Sequence, residues 1–229
     1  MSVDGLAQEL MLSLQFSLAP KQAPCFLFIG AHCDDIEIGC GGTVIELLTQ
    51  YPSARIHWVV LSSGGERTKE ARRAARLLLR GAHEPNVVIK EFRGAYFPSE
   101  APAIKDYFEE LKSIKPDIVF THCRDDLHQD HRVVGELAWN TFRDHVIFEY
   151  EVPKYDGGMG SPSVFFPLGS AAVRRKVDVL MKVFGSQRTK QWFTPETFQG
   201  LMRLRGIECN ARSGYAEAFY SRKLVLGQR

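Results

Sequence analysis

Two short stretches carry residue types from which hydrolytic sites are built. AHCDDIEIGCGG, residues 31–42, sets His32 ahead of two consecutive carboxylates, Asp34 and Asp35. THCRDDLHQDH, residues 121–131, packs His128, Asp130 and His131 into its last four positions. Imidazole nitrogens and carboxylate oxygens together suit a borderline divalent metal. Three protein ligands leave room for water and substrate, as in catalytic rather than structural zinc sites. Each residue alone has a plainer explanation: Asp34 or Asp35 as a helix N-cap, Asp130 as an acid in a first helical turn. It is the pairing of the two clusters that points to one site.

The second half of the first stretch supports a different chemistry. EIGCGG imitates the glycine turn of a methyltransferase-like nucleotide binder, with Glu37 closing a strand and Gly39 and Gly41 letting backbone approach the cofactor. That alternative needs no metal and leaves HQDH without a use. It also meets an obstacle, because the apolar run ends before His32 and HCDD separates it from the glycines. No G-x-G-x-x-G is present, so the glycines read as a tight turn into a helix beginning near Thr43.

The elements that must position these residues are legible as alternating patterns. CFLFIGA (25–31), IHWVVLSS (56–63), VVIKEF (87–92) and DIVFTH (117–122) are short and rich in β-branched and aromatic residues. Helical periodicity runs through 43–51, 69–81, 103–115 and 131–144 between and after them. Strand and helix in alternation predict a single-domain α/β fold over residues 1–229: a Rossmann-like, mainly parallel sheet with helices on both faces. Right-handed crossovers follow, and ligands then bind beyond the carboxyl ends of the strands. The loops 31–42 and 122–131 fall there. Beyond residue 145, 146–153 and 162–168 read as strands, 171–184 and 195–206 as helices, and 213–226 as extended.

Composition narrows the function further. Apolar residues make up 45% and charged residues 24%, ordinary for a globular chain, and a net charge of +2 gives no footprint for nucleic acid. The densest basic stretch, ERTKEARRAARLLLR, has helical spacing and reads as a solvated face. Five cysteines with no CxxC pair argue against a disulfide framework and suit a reducing cytoplasm. MSVDGLAQELMLSLQFSLAPKQAP lacks the basic start and cleavage site of a leader, and no apolar run would span a bilayer.

With both clusters in view, AHCDDIE resembles the AHPDDE signature of the PIG-L/LmbE-like N-acetylglucosaminyl deacetylases, and DLHQDH resembles that family's HPDH motif. ERTKEARRAARLLL is similar to its arginine-bearing helix, and RGIECNARSGYAEAFY to its C-terminal segment. The resemblance implies a zinc-dependent hydrolase that removes an N-acetyl group from an N-acetylated amino sugar or small glycoconjugate. It implies His32, Asp35 and His131 as ligands of Zn2+ or another divalent transition metal, with Asp34 as general base. It further implies His128 as a cationic oxyanion donor whose ring Asp130 orients, and Arg67 as a contact to sugar hydroxyls. His122 and Asp126 would support the second motif, and Glu37 would brace the first loop. His57 and His83 read as structural or surface residues, and His145 is assigned no role. Two departures stand where the family has proline, Cys33 and Gln129, and both relax the backbone without removing a ligand. Loops 93–102 and 153–163 are where specificity would reside, with Tyr96, Phe97 and Tyr155 available to stack on a sugar ring. The exact substrate is not legible, and a homo-oligomer is left open.

Overall fold

A computed structural model describes residues 13–14, 23–83 and 85–225. The leader reading therefore falls almost wholly outside the described residues. Five parallel strands follow the expected alternation: β1 (Cys25–Gly30), β2 (Arg55–Val60), β3 (Asn86–Ile89), β4 (Ile118–His122) and β5 (Val146–Tyr150). Two further strands, β6 (Val164–Pro167) and β7 (Ala216–Tyr220), complete a sheet of order β3-β2-β1-β4-β5-β7-β6, in which β7 runs antiparallel to both its neighbours.

Parallel strands covered on both faces read as continuous apolar runs, and all six residues of β1 are buried. Alternation then sorts them between two cores. Phe26 and Phe28 face α1 (Asp35–Gln50), α2 (Glu66–Leu78) and α5 (Ser170–Val183), with Phe28 stacked on Phe120 at 4.7 Å. Leu27 and Ile29 face α3 (Phe97–Leu111) and α4 (Gln129–Thr141). The sixth helix, α6 (Pro195–Glu208), packs on β7. Together these elements form the expected single-domain α/β fold with helices on both faces. The chain leaves β1 toward β2 on one side while β4 lies on the other, so the carboxyl ends of β1 and β4 flank the switch point of the sheet. No helix among the described residues is long and apolar enough to cross a membrane.

The largest departure concerns the glycines. EIGCGG is not a turn: α1 begins at Asp35, eight positions before Thr43, and the glycines lie inside it. The glycines are therefore buried within the helix, and the Gly42 amide is taken by Glu217 Oε1 at 2.8 Å rather than offered to a cofactor, which removes the physical basis of the nucleotide-binding alternative. The helix is broken once, at Cys40, where φ is −146° and ψ is 20°. Close packing explains Gly39, since a Cβ there would stand 2.2 Å from the Tyr150 ring. Two prolines disguised the start of α3. Pro98 occupies the first turn, where a missing N–H costs little, and Pro102 follows within the helix, so much of RGAYFPSEAP is helical. The strand read over 146–153 ends at Tyr150, and that over 213–226 pairs only across 216–220; Leu226 is outside the described residues.

Two glycine substitutions inside helices should act in opposite directions. Gly39→Ala should destabilise by about 1–3 kcal/mol through overpacking, because the Tyr150 hydroxyl is anchored on the Ile29 carbonyl at 2.7 Å. Gly200→Ala, with open space around its Cβ, should stabilise by up to about 1 kcal/mol. Urea denaturation of the two variants checks both signs.

Candidate metal centre

The turn between β1 and α1 is tied by Asp35, whose Oδ2 accepts the His32 amide at 2.7 Å. This places Asp34 at the helix N-cap, yet its carboxylate caps nothing. Oδ1 of Asp34 instead accepts from Arg67 Nη2 at 2.9 Å, while Asp35 lies 3.1 Å from His122 Nε2 and 3.5 Å from His131 Nε2. The neighbouring aspartates thus face different partners. Across the switch point, His128 caps α4 and its Nδ1 accepts from the Asp130 amide at 3.2 Å. One helical turn's reach brings His131 inward, its Nε2 only 3.3 Å from His32 Nδ1.

Those two imidazole nitrogens and the Asp35 carboxylate lie within 4.8 Å of one another. Each ring is held from behind by an acid. His32 Nε2 meets Asp130 Oδ2 at 3.0 Å, and His131 Nδ1 meets Asp126 Oδ2 at 3.0 Å. Such carboxylate–histidine pairs fix the tautomer and orientation of metal-binding imidazoles. Two overlapping groups, His32/His128/Asp130 and His122/Asp126/His131, are equally tight. Their acids are already engaged, Asp130 by the amides of Ala95 and Phe97 and Asp126 by the His128 amide and Lys154 Nζ. Asp35 Oδ2 is likewise taken by the His32 amide, but its Oδ1 faces His131 at 3.5 Å, so His32, Asp35 and His131 can each turn one atom toward a divalent ion.

Electrostatics point the same way. Burial would lower the His32 pKa, but bonds to Asp130 and Asp35 outweigh it and hold the ring up at about 9. Burial would raise Asp35, and His131 and His122 hold it well below the usual carboxylate range. His122 is pulled down to about 4 by burial and by His131 and is neutral at physiological pH. A field that demands a proton at His32 is one that a cation can satisfy. Asp34 moves oppositely to its neighbour: burial and then the Asp35 charge raise its pKa, against the pull of Arg67.

All seven residues singled out in the sequence, His32, Asp34, Asp35, Arg67, His128, Asp130 and His131, converge here. One role changes. Asp130 was expected to orient the His128 ring and favour its imidazolium, but its carboxylate holds His32 instead. His128 Nδ1 accepts an N–H, and burial, then His131 and His32, lower its pKa, so the ring is a neutral Nε2–H donor. His122 and Asp126 stand beside the trio as expected. Lys154 was missed, and a lone lysine in a Pro/Gly loop gave no signal. Glu37 does not brace the loop: it is fully buried, and its carboxyl oxygens find no hydrogen-bond partner among the described residues. Phe97 is buried, 5.9 Å from the His32 ring, and cannot stack on a sugar, whereas Tyr96 and Tyr155 are exposed. The Cys33 thiol turns to Ser63 Oγ at 3.0 Å, and burial pushes its pKa up to about 11. Gln129 Nε2 donates to the Ala95 carbonyl at 2.6 Å. Away from the site, His57 contacts Asn86, His83 is exposed and His145 packs on Phe142.

An α/β fold with acids and imidazoles converging at its switch point defines the class, an enzyme with a polar site that could hold a metal ion. The chain belongs to the PIG-L family, described as GlcNAc-PI de-N-acetylase, whose model matches residues 27–142 and so takes in both motifs. The family's chemistry is N-deacetylation, the hydrolysis of an amide. Solved structures share the fold. The conserved protein TT1542 of Thermus thermophilus is 24% identical with a TM-score of 0.66, over 89% of this chain and 96% of its own. The N,N'-diacetylchitobiose deacetylase of Pyrococcus horikoshii is 20% identical with a TM-score of 0.65, over 88% and 84%. GalB, the 4-carboxy-2-hydroxymuconate hydratase of Pseudomonas putida, is 16% identical with a TM-score of 0.71, over 90% and 99%.

In metal-free protein, imidazole NMR should find His32 titrating near 9 and His122 near 4. Asp130→Asn should bring the His32 midpoint down, and a midpoint that stays put would refute the pairing drawn above.

Proposed function

We propose that this protein is a zinc-dependent amidohydrolase that removes the acetyl group from an N-acetylated amino sugar or a small glycoside carrying one. The observation that carries this is the facing pair His32 Nδ1 and His131 Nε2 beside Asp35, with each outer ring nitrogen held by a carboxylate. His32, Asp35 and His131 would hold the ion. When bound, the ion would acidify water and polarise the amide carbonyl.

The rest of the reaction belongs to this chain's own side chains. Asp34, raised in pKa and beside the ligands without joining them, takes a proton from water as a C–O bond forms at the acetyl carbon. The same carboxyl returns that proton to the amine nitrogen as the C–N bond breaks, releasing acetate and the free amino sugar. His128 donates from Nε2 to the oxyanion as a neutral imidazole, the interaction that strengthens only as charge develops. Arg67 keeps the Asp34 carboxylate in register and offers its remaining N–H groups to substrate hydroxyls. Asp130 and Asp126 act through His32 and His131.

Two comparisons support the sugar amide. The matching family is described by de-N-acetylation of a GlcNAc-bearing compound, and a neighbour at 20% identity is a chitobiose deacetylase. GalB is a hydratase on the same fold, so the choice of amide rests on the family match across both motifs rather than on architecture. A cytoplasmic setting belongs to the same proposal and rests on five buried free thiols.

Purified protein should contain one divalent ion per chain and deacetylate N-acetylglucosamine derivatives. Asp34→Asn should retain the ion and lose about 10²–10⁴-fold in kcat. His128→Ala should lose about 10²–10³-fold. Because His32 carries a proton in the metal-free protein up to about pH 9, zinc uptake near pH 7.5 should release it, and affinity should rise with pH to that limit. Calorimetry in buffers of different ionisation enthalpy reads the proton directly. A chain that takes up no divalent ion under any loading condition would sink the proposal.

A further inference from the structure

Helix α1 carries Asp35 in its first turn and breaks only five residues later, at Cys40. A break in a helix strands carbonyls before it and amides after it, and both kinds must find partners when buried. Here the partners come from distant elements. Glu217, on β7, accepts the Gly42 amide on Oε1 at 2.8 Å and the Thr43 amide on Oε2, bonding as an N-cap would although it lies 174 residues away. Lys176, on α5, donates to the Ile38 carbonyl at 2.6 Å and to Glu217 Oε1 at 2.6 Å. Both side chains are only 3% exposed.

Nothing about packing alone calls for this arrangement. A buried ion pair contributes little net stability compared with apolar residues of the same volume. What the pair does do is join the two halves of α1, holding a carbonyl near the end of one half and two amides in the first turn of the other. The glycines make this possible, since a Cβ on Gly42 would stand 3.0 Å from Glu217 Oε1 and 2.6 Å from Leu168. The short first half is thereby set independently of the long second half, and it is the first half that aims Asp34 and Asp35 in different directions.

We propose that Lys176 and Glu217 are positioning residues for the metal centre, a splint across the break in α1 that fixes the carboxylates of Asp34 and Asp35. The inference rests on the metal-centre reading above. Glu217→Gln keeps the shape and weakens the double acceptor. Lys176→Met removes the bond to Ile38. The double variant leaves no charge buried alone and carries the test should either single variant fail to fold.

The readouts are the zinc dissociation constant by chelator competition and hydrogen exchange by mass spectrometry on metal-free protein. Zinc affinity should weaken by about 10–100-fold, the usual cost of losing an outer support of a metal site. Exchange should rise in peptides covering residues 34–43 and stay at wild-type rates in the rest of the sheet. Leu111→Ala, a cavity at the far end of α3, should lower Tm and leave zinc affinity alone. Unchanged affinity, or exchange that rises evenly through the chain, would overturn the splint and leave the pair a general stabiliser. Should the wild type itself bind no zinc, the metal reading fails separately, and exchange alone decides the splint: local acceleration at 34–43 upholds it and a uniform rise refutes it.

Discussion

The whole site depends on burying acids and imidazoles together without leaving a charge alone. An isolated ionised group in a protein interior is prohibitively costly, so each must be matched by an opposite charge or by donors of fixed geometry. The solution is arithmetic in space. Asp130 receives two backbone amides and the His32 ring, Asp126 receives one amide, the Lys154 ammonium and the His131 ring, and the two imidazoles turn their remaining nitrogens toward each other at 3.3 Å beside Asp35. Two nitrogens so placed share either a proton or a cation. The same contact therefore organises the metal-free protein and defines where an ion fits.

That constraint reaches back into the fold. Only the carboxyl ends of β1 and β4, adjacent across the switch point, can bring residues 32–35 and 126–131 to one place. For both aspartates to stand at that end, α1 must start at once after the strand. It then runs so close to β5 that residue 39 has no space for a Cβ beside Tyr150. The glycines that looked like a cofactor loop serve this close approach. Tyr150 in turn is anchored on Ile29 in β1, which links the wall behind the helix to the strand that delivers His32.

The same constraint explains what could and could not be read in the sequence. The strands were legible because a doubly covered sheet writes itself as apolar runs, and the motif residues because their spacing at strand ends is chemically conspicuous. The start of α1 was hidden because three glycines speak for a turn by propensity, and tertiary contact overrode that preference. The start of α3 was hidden by Pro98 and Pro102 for the same reason. Which histidine Asp130 would hold was beyond reach, since His32 is 98 positions away and His128 only two. Sequence proximity favoured the wrong partner. Phe97 and Tyr96 are adjacent in the chain, yet one is buried against His32 and the other lies open, a distinction fixed only when α3 docks.

The division of labour proposed for Asp34 and Asp35 rests on environment rather than residue type. Both are buried, and burial alone would raise both pKa values. Asp35 faces three imidazoles, those of His131, His122 and His32, and is driven down, which suits an acceptor that must stay ionised beside a cation. Asp34 faces one guanidinium and its own charged neighbour, and the net effect is upward, which suits a group that must take a proton and give it back. Exchanging the order of the two environments would exchange the roles with no change in sequence. Under the proposed roles, the chemistry would be encoded in the angle at which the first turn of α1 leaves β1, a turn that runs from Asp35 against Tyr150 to the break at Cys40.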